Sequence, residues 1–359
     1  MRGRFWILAL LVLLLSSCND RVSVTPEAEA GPVGAEAMAA LTEAEPDAGL
    51  SPLAELPPDV QRTFQLPQHL FALIPEKAQG GEPVTVGFSS NFGSRQFPNL
   101  RAVLLDSRGR RLGRAFFFDL PQDEGEPELK AAILAVPSTA LVGEALIRIE
   151  SDYEIIRDLP FNIEPRSFLS ETIALNQANT NLRTLPDPQR SAESDQIWTI
   201  LNTTGRSIYT WEPFLPPLSA TRRTSYYGSR RIFQYAGGGT DTSIHAGVDY
   251  GVPTGTEVFA SATGLVILAR YRILTGYSVV LEHLPGVYSI YYHLNELFVD
   301  EGDFVTRGRL IAHSGATGLA TGPHLHWEIR VAGENADPDA FLARPLLDKN
   351  AIIHTLDRY

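Results

Sequence analysis

Apolar and polar residues alternate in short runs over much of this chain, and a period of two predicts strands where a period of 3.6 would predict helices. Between about Leu66 and Pro165 the runs are "EPVTVGFSS", "NLRAVLLDSRGRRLGRAFFFDL", "LKAAILAVP", "EALIRIESDYEI" and "LPFNIEP", punctuated by "QGGEP", "DSRGR" and "DEGEP". This spacing predicts a small antiparallel β-sandwich over residues 62–165. A second β-rich unit is predicted over 216–345, where "GTEVFASATGLVILARY", "GYSVVLEHLPGVYSIYYHL" and "GDFVTRGRLIAHSGATG" carry glycines at the tight connections.

The connector, 166–215, breaks the pattern. In "LPDPQRSAESDQIWTILNTTG", Asp187 suits an N-cap and Pro188 the first helical position, so one helix is predicted there, ending near Gly205. The following "YTWEPFLPPLSATRRTSYYGSRR" holds too much proline and aromatic content for a regular element. It is expected to run across the surface of the second unit, and its character leaves open whether it covers a site there as a lid. Residues 346–359 are expected to form a tail. The fold class is mainly β: an N-terminal immunoglobulin-like sandwich, a short helical connector and a C-terminal antiparallel sheet domain with a groove.

Composition narrows the function. The 359 residues include 44% hydrophobic side chains, enough to bury a real core, and carry a formal charge of -12 without a dense Lys/Arg cluster. Such a surface repels phosphate backbones, which argues against nucleic acid as a partner. With one cysteine, Cys18, the chain forms no internal disulfide and no thiolate cluster. Any metal must therefore be held by His, Asp or Glu.

The first residues, "MRGRFWILALLVLLLSSCND", place Arg2 and Arg4 before an apolar run from Phe5 to Leu15, the layout of a secretory signal over 1–17. The run is shorter than the about 20 residues a membrane-spanning helix needs. "LSSC" resembles a bacterial lipobox, which implies cleavage before Cys18, acylation of its sulfur and anchorage to a membrane. Residues 18–61 are rich in Ala, Glu and Pro, with nine acidic side chains against Arg21 alone from Asn19 to Gln61. They read as a disordered acidic tether. The expected location is the cell envelope, exported and lipid-anchored.

Six of the eight histidines fall between His245 and His326. In the extended run "GPHLHWEIR", His324 and His326 project to one side together, because strand side chains alternate faces. The same parity relates His245 to Asp249 in "HAGVDYG" if that piece is extended, as Gly247, Val248 and Gly251 suggest better than a helix. Two nitrogens and a carboxylate oxygen from these pairs would suit the kind of site Zn2+ occupies in hydrolases, with a coordination position left for water. One histidine of the pair can hold the metal while its neighbour reaches substrate or water. His293 interrupts the otherwise apolar "YYHL" nearby.

The ordered motifs His-x-x-x-Asp, Tyr-x-His-Leu and His-Leu-His, spread over about 130 residues from "SYYGSRR" to "HLHWEIR", resemble the lysostaphin-type (LytM-like) zinc metallopeptidases that cut peptide bridges in bacterial peptidoglycan. The resemblance implies one zinc per chain held by His245, Asp249 and His326, with His293 and His324 as the catalytic pair. It implies attack of a zinc-bound water on the scissile carbonyl, one histidine serving as general base and the other as hydrogen-bond donor to the oxyanion; the roles are exchangeable. Peptidoglycan peptides are the expected partners, with envelope proteins as possible further ones. The alternatives are a non-catalytic peptidoglycan-binding regulator that activates an amidase, and a zinc carrier. The complete ligand set favours catalysis, and the absence of flexible His-rich tracts argues against a carrier. His69, His283, His313 and His354 read as structural, and Tyr226, Tyr227, Tyr291 and Trp327 read as core more readily than as groove lining.

Overall fold

The computed structural model describes residues 69–90, 97–122, 124, 128–203, 205 and 207–356, all within one compact unit. The signal, Cys18 and the tether lie outside the described residues. Among those described, no helix is long and apolar enough to cross a membrane.

The N-terminal strands are β1 (His69–Ile74), β2 (Lys77–Gln79), β3 (Pro83–Ser90), β4 (Arg101–Asp106), β5 (Arg111–Phe116), β6 (Phe118–Asp119), β7 (Leu129–Ala135), β8 (Gly143–Glu150) and β9 (Ile155–Glu164). They form a four-stranded sheet in the order β1-β3-β7-β6 and a five-stranded sheet in the order β2-β9-β8-β4-β5. Phe71, Leu73, Val84, Val86 and Phe88 of the first sheet meet Leu104, Ile147, Ile149, Leu159 and Ile163 of the second between the layers.

β7 does not follow simple in/out alternation. Ala132 and Leu134 enter the core between the sheets, while Ala131, Ile133 and Ala135 enter a second core shared with the C-terminal strands. A strand covered on both faces has no solvent side to be polar toward, which is why "LKAAILA" is a nearly continuous apolar run.

The connector holds β10 (Ser170–Ala174), α1 (Gln177–Thr184) and α2 (Pro188–Asn202). Asp187 caps α2, its Oδ1 accepting from Arg190 N at 3.0 Å, with Pro188 in the first turn as the sequence predicts. Neither α1 nor β10 was legible: β10 borrows its sheet from strands far along the chain, and α1 buries only Asn179 and Thr180, which give no apolar stripe. Phe214 and Leu218, expected on a surface-running segment, are instead buried in the second core.

The remaining strands are β11 (Arg223–Ser225), β12 (Arg230–Gln234), β13 (Thr240–Ile244), β14 (Gly247–Tyr250), β15 (Glu257–Phe259), β16 (Gly264–Arg272), β17 (Gly276–Leu284), β18 (Val287–Leu297), β19 (Phe304–Val305), β20 (Leu310–Ser314), β21 (Leu325–Val331) and β22 (Glu334–Ala336). The main sheet runs β11-β14-β21-β18-β17-β16-β19 and is antiparallel throughout. β10 joins β12 and β13 in a small sheet, pairing parallel with β12. The segment expected as a tail ends in α3 (Lys349–Thr355), whose Ile352 is buried in the shared core with Ala72 of β1.

Candidate metal centre and active site

β14 and β21 lie side by side with Asp249 directly opposite His326 and Val248 opposite Trp327. Residues facing each other across an antiparallel pair project to the same face. The close approach depends on Gly247, where a Cβ would stand 2.1 Å from Trp327 O. Along β21, Leu325, Trp327, Ile329 and Val331 are fully buried in the core, which sends His326, Glu328 and Arg330 to the opposite face.

That face gathers the predicted ligands. His326 Nδ1 lies 2.8 Å from Asp249 Oδ1, His245 Nε2 lies 3.2 Å from the same oxygen, and the two nitrogens are 3.0 Å apart. All three side chains are buried. The hydrogen atoms of both imidazoles are accounted for on their other edges. His245 Nδ1 is 2.9 Å from the carbonyl of Tyr226, an obligate acceptor, and His326 Nε2 is 3.2 Å from Glu328 Oε2. When the rings are neutral and those nitrogens donate, the edges that meet are lone pairs. In that state three acceptor atoms converge and form a cradle for a cation. A tetrahedral site with bonds of about 2.0 Å has ligand atoms about 3.3 Å apart, close to the spacing here. The residues therefore fit a bound metal, and the outer bonds are the kind that fix tautomer and orientation in metal-binding histidines.

His324 precedes β21 and bridges to Gly315; its Nε2 stands 3.9 Å from Asp249 Oδ1. His293 joins it by a local irregularity. Strict alternation along β18 would send Tyr292 and His293 to opposite faces, yet His293 adopts φ 60° and the β17–β18 register shifts there. Consequently Tyr292 stacks on His326, ring centroids 5.5 Å apart and planes 10° apart, while the His293 ring centroid lies 4.7 Å from that of His324. His293 Nδ1 donates to Thr317 O at 2.8 Å, and His324 Nδ1 donates to Gly322 O at 2.8 Å. In the neutral tautomer that these bonds fit, each ring has its lone pair on Nε2. Such a ring accepts a proton first and becomes a donor afterwards.

Charge is distributed unevenly around these groups. Burial favours the neutral form, but the adjacent imidazoles of His245 and His326 outweigh it for Asp249 and hold that carboxyl well below its usual range. Burial likewise would lower His326, yet Asp249 and Glu328 raise it to about 9, so without a cation the ring holds a second proton that must leave before Nδ1 can bind one. Glu328, buried beside Arg330 and His326, is held down to about 2. His293 has no such carboxylate contact, and burial together with His324 pushes it to about 3. Arg231 of β12 donates to Asp249 Oδ2.

All five predicted site residues thus come together. Glu328 was missed although its signal was present, since it stands two residues beyond His326 on the same strand face. Arg231 and Tyr292 carried no local signal. Tyr227, Tyr291 and Trp327 are buried, whereas Tyr226 is exposed. His283 is buried against Ser289 and Thr263, and His313 pairs with Glu296.

Residues 243–338 match Peptidase family M23. The chain is 42% identical over 89 residues to the peptidoglycan DD-endopeptidase ShyA of Vibrio cholerae serotype O1, covering 25% of this chain and 21% of that protein. It is 40% identical over 95 residues to the DD-carboxypeptidase/endopeptidase Mpg of Neisseria meningitidis serogroup B, covering 26% and 22%. The chain therefore spans about a fifth of the length of these relatives. A solved structure of a putative peptidase M23 from Pseudomonas aeruginosa superposes with a TM-score of 0.46 at 22% identity, covering 68% of this chain and 88% of that one.

Proposed function

We propose that this chain, whose residues 243–338 form a peptidase family M23 domain, is a zinc-dependent endopeptidase that hydrolyses peptide cross-links of peptidoglycan. The observation that carries the proposal is the convergence of His245 Nε2, Asp249 Oδ1 and His326 Nδ1 within 3.2 Å of one another, with His324 Nε2 at the edge of the cradle. The names of the two relatives, both endopeptidases, support the reaction class, and that of ShyA supports peptidoglycan as the substrate.

Zinc held by these three residues supplies Lewis acidity, polarising a carbonyl and bringing water within reach of ionisation near pH 7. The chain's own groups supply the rest. His324 takes the proton of the attacking water on its Nε2 and returns it to the leaving amine, with His293, a poorer base because burial lowers its pKa, packed beside it. The protonated ring is then the hydrogen-bond donor available to the developing oxyanion. Glu328 and the Tyr226 carbonyl keep the two ligand imidazoles turned with their lone pairs inward. The assignments of His245, Asp249 and His326 to the metal and of His293 and His324 to proton transfer are part of the proposal.

The Cys18 lipobox and the acidic segment after it support an exported protein held to an envelope membrane by lipid and reaching the wall through a tether. Membrane fractionation of Cys18→Ala tests this, with release from the membrane expected. For the enzymatic reading, the full chain should bind about one zinc and release soluble fragments from purified peptidoglycan, and His326→Ala should lose both. Zinc-loaded protein that leaves every tested wall intact would move the assignment to a peptide-binding regulator.

A further inference from the structure

Beyond the matched segment 243–338, the connector strand β10 sends a carboxylate toward the ligand cluster. Glu171 Oε1 accepts from Ser225 Oγ at 2.5 Å. The same Oγ lies 3.0 Å from His245 Nδ1 and accepts from Arg231 Nη2 at 2.8 Å, the nitrogen that also bonds Asp249 Oδ2. Glu171 Oε2 stands 3.8 Å from Arg231 Nε, a buried nitrogen without a hydrogen-bond partner. The placement follows from the parallel pairing of β10 with β12, which sets Glu171 opposite Arg231.

The hydrogens in this cluster can be assigned in one way. A carboxylate only accepts and a guanidinium only donates, so the single hydrogen of Ser225 goes to Glu171 and Arg231 donates to the same oxygen. Toward His245, Ser225 can then only accept, so it shares the hydrogen on Nδ1 with the Tyr226 carbonyl and leaves the lone pair on Nε2. The charges also pair off. Arg231 beside Asp249 draws away part of the negative charge a cation would use, and Glu171 offsets Arg231 from its other side.

We propose that Glu171 is a positioning residue for the cation site, holding His245 in its metal-binding tautomer through Ser225 and neutralising Arg231 behind Asp249. The inference rests on the reading of the cluster as a zinc centre and extends that centre to a strand outside the matched family segment. The β10 strand is then part of the working site, and a chain lacking it holds metal weakly.

The test is zinc affinity of the full chain, measured by competition with a chromogenic chelator, with the absorption spectrum of the cobalt-substituted protein as a report on ligand geometry. Glu171→Gln keeps the size of a partly exposed side chain and is expected to weaken zinc binding by about tenfold or more, as loss of an outer-layer partner commonly does. The double variant Glu171→Gln with Arg231→Gln removes the unbalanced cation as well and should bind zinc more tightly than Glu171→Gln alone. A merely structural role predicts the reverse, since two lost contacts would be worse than one. Wild-type binding with Glu171→Gln within about twofold of it overturns the inference and leaves the zinc reading intact. A wild-type chain that binds no zinc overturns both. Should Glu171→Gln fail to fold, Ser225→Ala decides: weaker binding supports the relay, and unchanged binding overturns it.

Discussion

Asp249 on β14 and His326 on β21 face each other across two paired strands, Oδ1 to Nδ1 at 2.8 Å, from positions 77 residues apart in sequence. Backbone pairing, not side-chain flexibility, sets that distance. The site is therefore as rigid as the sheet, and changes to the sheet should reach the chemistry.

Gly247 is where this is most exposed. A methyl group there meets the Trp327 carbonyl, so Gly247→Ala must push β14 off β21 or fail to pair. Overpacking of this kind costs about 1–3 kcal/mol, and the displacement separates Asp249 from His326. Thermal unfolding should show a lowered Tm, and metal affinity should fall with it.

Glu328→Gln keeps the shape of the side chain but removes the charge that faces His326 Nε2 and Arg330. An amide can present its NH2 to the imidazole and so favour the wrong tautomer. A loss of about 10–100-fold in metal affinity or activity is expected, read by chelator competition and by wall hydrolysis. Unchanged affinity would show that Glu328 does not orient His326.

His293→Ala and His324→Ala should separate binding from chemistry. Neither residue belongs to the three-atom cradle, so each variant should retain zinc while kcat falls by about 10²–10⁴-fold. The double variant should be little worse than the poorer single one, because groups that act as a unit do not contribute additively. Loss of zinc in either single variant would instead place that histidine among the ligands.

Part of this was legible in the chain. Strand parity is a local property, so "HLHWE" announced that His324 and His326 share a face, and Asp187-Pro188 announced a helix start, whereas His245 stands before β14 and reaches Asp249 from outside the strand. The irregularity at His293 was not legible, since a non-glycine residue with positive φ is set by its surroundings: His293 N donates to Thr275 O and its ring to Thr317 O. Glu171 was equally hidden, because its relation to His245 exists only once β10 pairs with a strand from another part of the chain. The burial of β7 on both faces was written in "LKAAILA", yet a continuous apolar run does not reveal what covers it.

His283 carries a pH prediction. It is enclosed by Phe214, Ser289 and Thr263, and burial pushes it from 6.5 to about 4. Below about pH 6.5 the unfolded chain takes up a proton that the folded chain refuses, so stability falls as the pH drops toward about 4. The full contribution, present above about pH 6.5 and lost below about pH 4, is about 3 kcal/mol. Urea midpoints across this range should show the slope, and His283→Asn, which can still donate to Thr263 O, should flatten it.

The most direct test treats purified peptidoglycan with the full chain, with and without a strong chelator, and follows soluble fragments by mass spectrometry. The account predicts cross-linked peptides cut by the untreated protein, no cutting after metal removal, recovery when about one equivalent of zinc is returned, and no recovery for His326→Ala. Cutting that persists in the metal-free protein or in His326→Ala would contradict it.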